Sequence, residues 1–378
     1  MIPFNKPYLH GRELVYIAEA VASGKISGDG IFTKKCHDFF EKRYGFRKVL
    51  MTTSCTDALE LSALLLNIKE GDEVIVPAFT FVSTANAFAL RGAKIIFADS
   101  GRDNPNIDTD KLVQLISPRT KAIVVVHYAG VACDMNPIIA AAKQNGISLI
   151  EDAAQAIDSY YYDRPLGSLG TFGAFSFHET KNVIAGEGGM LAINDSGNVA
   201  QAEIIREKGT NRSAFFRGEV DKYGWVALGS SFLPTDIVSA YLYAQLENLD
   251  SIQARRRELW DLYWSRLVTD LPKFGLTLPH VPAWATNNSH MFYVVCKNAA
   301  QREALISNLR ALGIYAVFHY SALHRSAYYK DKHDGRELPQ ADRYSDCLVR
   351  LPLYYELTNT QVNYICDSLL ATLGAGRA

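Results

Sequence analysis

Two side chains in this sequence have the types and settings for catalysis: Lys181 and, upstream of it, Asp152. The largely apolar run Ile147 to Ile150 ends in Glu151 and Asp152. The strand-like run Phe175-Ser176-Phe177-His178 leads through Glu179 and Thr180 to Lys181 and Asn182. An acid at the C-terminal edge of one strand and a lysine just past another suit a pyridoxal 5'-phosphate (PLP) site. There the lysine amine forms a Schiff base with the cofactor aldehyde, the carboxylate keeps the ring nitrogen protonated, and the ring becomes an electron sink. Apolar residues flank Lys181 on both sides, and Gly186-Glu187-Gly188-Gly189 follows it, allowing close backbone approach. A lysine desolvated beside a cationic ring has a lowered pKa, so its amine is a usable nucleophile and then a base. Alone, Lys181 would read as a surface charge and Asp152 as a solvated strand end or helix cap. The glycines alone read as a hairpin turn and lack the G-x-G-x-x-G spacing of a dinucleotide fold.

Other segments offer ways to hold such a cofactor. Thr52, Thr53, Ser54, Cys55 and Thr56 form a hydroxyl-rich turn directly before the helical run Asp57 to Leu66. Unpaired amides and partial positive charge at a helix start bind phosphate without an arginine. The same hydroxyls also read as ordinary N-caps. Phe79 and Phe81 follow a strand end, where an aromatic ring stacks on a flat cofactor or simply joins the core. Arg206, Lys208, Arg212 and Arg217 read either as a solvated helix face and loop or as a grip for a pyrophosphate. His319 and His324 lack metal-ligand spacing and read as satisfied polar residues or as groups behind the site, so no metal is expected.

The elements that must position these residues alternate from about residue 48 onward. Short apolar runs at Val74 to Val76, Ala93 to Phe97, Ala122 to Val126 and Ile147 to Ile150 predict strands. Runs at Ala58 to Leu66, Thr84 to Leu90 and Pro137 to Asn145 predict helices. The pattern implies an α/β fold with a mostly parallel sheet covered on both faces, whose ligands gather at the strands' carboxyl ends. Pro77, Asp99, His127 and Asp152 all lie at or just past such ends. From Asp236 to about Leu267 one long helical pattern predicts a bridge, giving a large domain over 1–245 and a small C-terminal α+β domain over 246–378. In the small domain, strands are expected at Met291 to Cys296 and Tyr315 to Phe318, and helices at Gln301 to Leu312 and Thr360 to Leu373.

Composition narrows the setting. The 378 residues are 48% hydrophobic and 21% charged, ordinary for a globular protein with a full core. A net charge of −1 favours neither nucleic acid nor an anionic membrane. The six cysteines form no C-x-x-C pair, which argues against a zinc cluster or disulfide framework and fits a reducing cytoplasm. No run approaches the roughly 20 apolar residues of a membrane span, and Met1 to Val15 has no signal-peptide core. The expected location is cytoplasmic.

Joined in order, these segments resemble the sugar-nucleotide aminotransferases (DegT/StrS type), PLP enzymes of the aspartate-aminotransferase fold type I. The resemblance rests on Ser54-Cys55-Thr56-Asp57-Ala58-Leu59, Pro77-Ala78-Phe79-Thr80-Phe81, His127-Tyr128-Ala129-Gly130, Glu151-Asp152-Ala153-Ala154-Gln155, and the Phe175 to Asn182 run with the glycines after it. It implies that Lys181 is the Schiff-base lysine and proton shuttle, that Asp152 pairs with the ring nitrogen, and that Phe81 stacks on the ring. It also implies that Gln155 lies near the cofactor's O3′ or ring face, and that Cys55, Thr56 and Ser176 hold the phosphate. Where many relatives supply an asparagine from the partner subunit, this sequence has Ser231. A narrower likeness lies in Ile204 to Gly218, Asp221-Lys222-Tyr223 and Ser23 to Gly30. These are similar to dTDP-4-amino-4,6-dideoxygalactose transaminases of bacterial surface-polysaccharide synthesis, which use L-glutamate and dTDP-4-keto-6-deoxyglucose. The fold type implies a homodimer with shared active sites, and Lys208, Arg212 and His319 are expected on the substrate side. The rivals are the gluco epimer or a 3-amino sugar from the same chemistry, a PLP-dependent sugar dehydratase, and a non-enzymatic binding protein. Lys181 counts against the last two.

Overall fold

In the computed structural model, which describes residues 1–375, the predicted alternation becomes twelve strands in three sheets among the described residues, the smallest being the pair β6–β7. The strands are β1 Lys48–Thr52, β2 Glu73–Pro77, β3 Lys94–Ala98, β4 Thr120–Val126, β5 Ser148–Asp152, β6 Tyr160–Tyr161, β7 Arg164–Pro165, β8 Phe172–Ser176, β9 Gly189–Ile193, β10 Phe292–Val295, β11 Val317–Phe318 and β12 Leu348–Leu351. Seven of them form the main sheet in the order β1-β9-β8-β5-β4-β2-β3. The pairs β2–β3, β2–β4, β4–β5 and β5–β8 are parallel, while β9 runs antiparallel to both β8 and β1. Strand β1 therefore points the same way as the parallel set, and β9 is the one reversed strand.

Alternation along each strand divides the core in two. Val74 and Val76 of β2, with Ala122 and Val124 of β4, pack with the helices Cys55–Leu65 and Val82–Ala89. Ile75, Ile123 and Val125, on the opposite face, pack with the helices Ile31–Tyr44 and Met135–Asn145. Successive side chains of a strand point to opposite faces, so unbroken aliphatic runs require a cover on each side. The smaller sheet, β10-β12-β11, is antiparallel and shares the first of these cores, through Leu259 and Tyr263 of the helix Leu249–Leu267.

One helical expectation is corrected. The single helix expected from Asp236 to about Leu267 is two, Asp236–Leu246 and Leu249–Leu267. Asn248 breaks it: its backbone leaves the helical region at φ −113° and ψ 11°, and its Nδ2 donates to the Ala244 carbonyl at 2.9 Å. An asparagine side chain that bonds its own backbone competes with the helical ladder.

Candidate active site

Because β1, β2, β4, β5 and β8 share a direction, their last residues, Thr52, Pro77, Val126, Asp152 and Ser176, gather at one sheet edge. Strand β9 starts at that edge, with Gly189 in register with both Thr52 and Ser176. The long β8–β9 connection thus hangs Lys181 over the carboxyl ends of the parallel strands. A cavity of about 370 Å³ opens there, and Cys55, Thr56, Phe81, Asp152, Gln155, Ser176, Lys181 and His319 all line it.

Asp152 and its neighbour Glu151 show how strand alternation separates two acids. Glu151, fully buried on the opposite face, accepts from the amides of Gly167, Leu169 and Gly170 at 2.6–2.8 Å and pairs with His127 at 2.9 Å. It braces a loop. Asp152 is turned into the cavity: its Oδ2 accepts from the Thr84 hydroxyl at 2.7 Å and its Oδ1 from the Ala154 amide at 3.1 Å. Thr84 is itself held by Thr80 at 2.8 Å. Burial pushes the Asp152 carboxyl above the ordinary value, and these hydrogen bonds, with the charge of Lys181, work against that rise.

Lys181 is half-buried, and its backbone amide donates to the His178 carbonyl at 2.9 Å. The next residue pins the loop. Asn182 donates through Nδ2 to Gln253 at 2.7 Å and to the Asn288 carbonyl at 2.9 Å, and its Oδ1 accepts from His290 Nδ1 at 2.9 Å. Burial lowers the Lys181 amine pKa; Cys55 and Asp152 oppose the shift and Arg350 adds to it. The amine is thereby biased toward its neutral, nucleophilic form.

At the start of the helix Cys55–Leu65 both readings of the hydroxyl-rich turn have residues that fit them. Ser54 is the cap, accepting from the Asp57 amide at 3.1 Å. Ser54 lines the cavity together with Cys55 and Thr56, and Thr56 is bonded to Ser83 at 2.8 Å. Amides in a first helical turn have no acceptor within the helix. Gly189 lies so close beneath this turn that a Cβ there would run into the Ser54 carbonyl carbon and the Cys55 nitrogen.

Aromatic groups and a glutamine close the opposite wall. Phe81 is 54% exposed at the mouth, its ring 5.9 Å from that of Tyr320. Phe79 is buried in the core against Tyr128, Tyr320 and Tyr344. Gln155 is fixed at both ends, accepting from the Ala129 amide at 2.6 Å and donating to the Tyr320 hydroxyl at 3.1 Å. His319 meets the Tyr128 hydroxyl at 2.8 Å, and burial, with the charges of Arg350 and Lys181, holds it neutral.

A model of the DegT/DnrJ/EryC1/StrS aminotransferase family matches residues 7–370. The chain belongs to that family. Among solved structures, it is 32% identical to the aminotransferase TlmJ from Streptoalloteichus hindustanus, with a TM-score of 0.91 and 100% of each chain covered. It is 25% identical to the Streptococcus pneumoniae protein Spr1654 in its PMP form, TM-score 0.92, over 99% of this chain and 100% of that one; the same protein is also solved in a PLP form. Helicobacter pylori PseC, an aminotransferase involved in pseudoaminic acid biosynthesis, is 25% identical with a TM-score of 0.90 over 99% of each chain.

As in the rest of the DegT family, the cofactor is PLP. The residues present fit it: a buried carboxylate whose hydrogen-bond donors, Thr84 and Ala154, are both uncharged; a helix-start cradle kept open by Gly189; and a lysine amine with a depressed pKa. Lys208, Arg212 and Ser231 are not among the residues that line the cavity. Two of the nearby arginines weighed for a pyrophosphate grip are engaged within the chain. Arg206 is buried and forks onto Asp29 at 2.8 and 2.7 Å. Arg217 is paired with Glu219 at 2.7 Å and Glu203 at 2.9 Å. Asp99 and His127 also lie away from the cavity: Asp99 accepts from the Ala341 amide at 2.8 Å and pairs with Lys111 at 3.0 Å, and His127 is the partner of Glu151.

Sequence reasoning missed Thr84, His290, Tyr320 and Arg350. Arg350 left a readable signal, a lone arginine inside the apolar run Leu348 to Leu353. Thr84 left none, since a threonine inside a helical run has no distinguishing mark.

Proposed function

We propose that this PLP-dependent sugar aminotransferase moves the amino group of L-glutamate to C4 of dTDP-4-keto-6-deoxy-D-glucose, giving dTDP-4-amino-4,6-dideoxy-D-galactose for bacterial surface polysaccharide. The convergence of Lys181 and Asp152 on one cavity at the carboxyl edge of a parallel sheet carries the transaminase reading. The likeness of Ile204 to Gly218 and of Ser23 to Gly30 to one subgroup supports the choice of sugar. Bound PLP supplies an electron sink for negative charge developing at the donor's Cα. Asp152, oriented by Thr84 and Ala154, holds the proton on the ring nitrogen. Lys181 Nζ takes the proton from the donor's Cα and, in the second half-reaction, delivers one to C4 of the sugar. Cys55, Thr56 and Ser176 hold the phosphate, Phe81 covers the ring, Gln155 lies beside the cofactor, and His319 lines the substrate side.

The proposal includes a homodimer in the cytoplasm. The loop between the helix Val199–Arg206 and the helix Asp236–Leu246 exposes Phe216 at 70%, Trp225 at 81% and Leu228 at 59%, apolar surface suited to burial by a second copy. That loop would bring the partner subunit's Lys208, Arg212 and Ser231 to the site. Among the described residues no helix is long and apolar enough to cross a membrane.

The test is the visible absorbance of the PLP-loaded protein. Glutamate should bleach the band and the keto sugar should restore it, with the product's C4 configuration read by NMR. Bleaching without recovery rejects this sugar, and a gluco product or a 3-amino sugar replaces the assigned outcome. A band that glutamate leaves unchanged rejects the donor.

A further inference from the structure

His290 keeps one ring nitrogen free of a proton on the cavity side, and its neighbours behind the wall fix this. It lies just before β10, is buried, and lines the same cavity as Lys181. Its Nδ1 meets Asn182 Oδ1 at 2.9 Å. The Asn182 amide cannot be turned round, because its Nδ2 sits 2.9 Å from the Asn288 carbonyl, which only accepts. Asn182 Oδ1 is therefore the acceptor, so the imidazole proton is on Nδ1 and Nε2 keeps its lone pair. Burial, with the charges of Lys181, Arg256 and Arg350, keeps a second proton off the ring. Asn182 is not among the residues that line this cavity, so the ring edge opposite Nδ1 faces it. Among the described residues, the bond to Asn182 is the only one the ring makes. The backbone is held for this aim. Ser289 takes a left-handed conformation at φ 54°, costly for a residue other than glycine. Asn288 Oδ1 accepts from the His290 amide at 3.0 Å, and Arg256 donates to the carbonyls of Ser289 at 3.1 Å and His290 at 2.6 Å.

A lone pair on the cavity wall selects a hydrogen-bond donor and disfavours an anion. The cofactor brings no donor to spare: its phosphate and phenolic oxygens are acceptors, and its ring nitrogen is assigned to Asp152. Glutamate brings two carboxylates, also acceptors, and an amine that goes to the cofactor. The sugar is the reactant with donors left over, its hydroxyls. The ring that carries the lone pair is bonded to the residue directly after Lys181, and Lys181 delivers the proton to C4 in the reading above. In a 4-keto-6-deoxy sugar, C5 carries the methyl group and the ring oxygen, so the one hydroxyl on a carbon bonded to C4 is that of C3. We propose that His290 Nε2 accepts a hydrogen bond from the C3 hydroxyl of the sugar and is a specificity-determining residue of the second half-reaction. The proposal rests on the sugar-aminotransferase reading given above.

Single-turnover absorbance on the PLP-loaded enzyme tests this with three titrants: glutamate, the dTDP-4-amino sugar that reverses the second half, and the 3-deoxy counterpart of that sugar. His290→Asn keeps a donor where Nδ1 meets Asn182 and has no atom at the Nε2 position, while His290→Gln reaches that position and restores an acceptor. His290→Asn should raise the amino-sugar concentration for half-saturation roughly 10–100-fold and leave that for glutamate nearly unchanged. With the 3-deoxy sugar the penalty should vanish, which a purely structural role would not produce. His290→Gln should lose less. Equal losses on both halves, a loss confined to glutamate, a loss undiminished with the 3-deoxy sugar, or no loss overturns the assignment. Should His290→Asn fail to fold or to take up PLP, His290→Phe takes its place under the same outcomes. A wild type that saturates equally with both sugars overturns the assignment without any variant. A wild type that responds to glutamate but to neither sugar refutes the sugar assigned above and not the histidine. The comparison then runs with the amino sugar that does respond and its counterpart lacking the hydroxyl beside the amine.

Discussion

Lys181 and Asp152 are shifted in opposite directions by one cause, burial at the same wall, which disfavours a proton on the amine and disfavours loss of a proton from the carboxyl. Capture of PLP needs the neutral amine, whose fraction rises with pH through its pKa. Since that pKa lies below the ordinary 10.5, the rate of PLP uptake by the free protein should level off at lower pH than for an exposed lysine. Stopped-flow uptake across pH checks this, and an inflection at the ordinary lysine value would contradict the depressed pKa. At Asp152 the test is Asp152→Asn, which keeps the shape and the Thr84 contact but removes the charge that favours a protonated ring. It should retain PLP and slow turnover by about 10²–10³-fold. A near-normal rate would mean that another group partners the nitrogen.

At the scale of elements, the site depends on how closely the helix Cys55–Leu65 starts above β9. Only a residue without a Cβ lets Gly189 sit under the Ser54–Cys55 backbone while pairing with both Thr52 and Ser176. Gly189→Ala forces that turn outward. It should cost about 1–3 kcal/mol of stability, as overpacking does, and should loosen PLP, because the amides that face the phosphate move with the turn. Thermal unfolding and the rate of PLP loss on dialysis measure the two effects; parental values for both would show that the close approach is immaterial. Elements also explain where the sequence reading stopped. Strands around Val74, Ile95 and Ile123 were legible because their residues are aliphatic and buried on both faces. Strand β9, which begins in the glycine turn, and β12, which contains Arg350, carry the marks of a turn and of a surface, so local pattern did not single them out.

At the scale of the whole molecule, the exposed aromatic loop and the outlying positions of Lys208, Arg212 and Ser231 make one prediction. If sites are shared between copies, Ser231→Glu sets a carboxylate against the phosphate of the neighbouring site, while Lys181→Ala abolishes its own. Each variant alone should be inactive or nearly so. Mixed after dissociation and reassociation, they should recover about a quarter of wild-type activity, because half the dimers are hybrids with one intact site each. No recovery, with hybrid dimers shown by native mass spectrometry, would mean that each site takes both residues from one chain.

The pairing of Lys181 with Asp152 was determined by the sequence alone, because a PLP site needs a desolvated amine and an acid at strand ends, and strand ends are marked by where apolar runs stop. The order of short aliphatic strands and helices likewise carried the α/β class. Tertiary structure decided which strand-end polar residues share a cavity. Asp99 and His127 end strands as Asp152 does, yet they brace the fold elsewhere, because facing is set by sheet order and by the face on which each side chain falls. It decided, too, that Arg350 lines the same cavity as Lys181. The two lie 169 positions apart in the chain, and only the packing of the small sheet against the first core of the large one brings a guanidinium to the amine's neighbourhood.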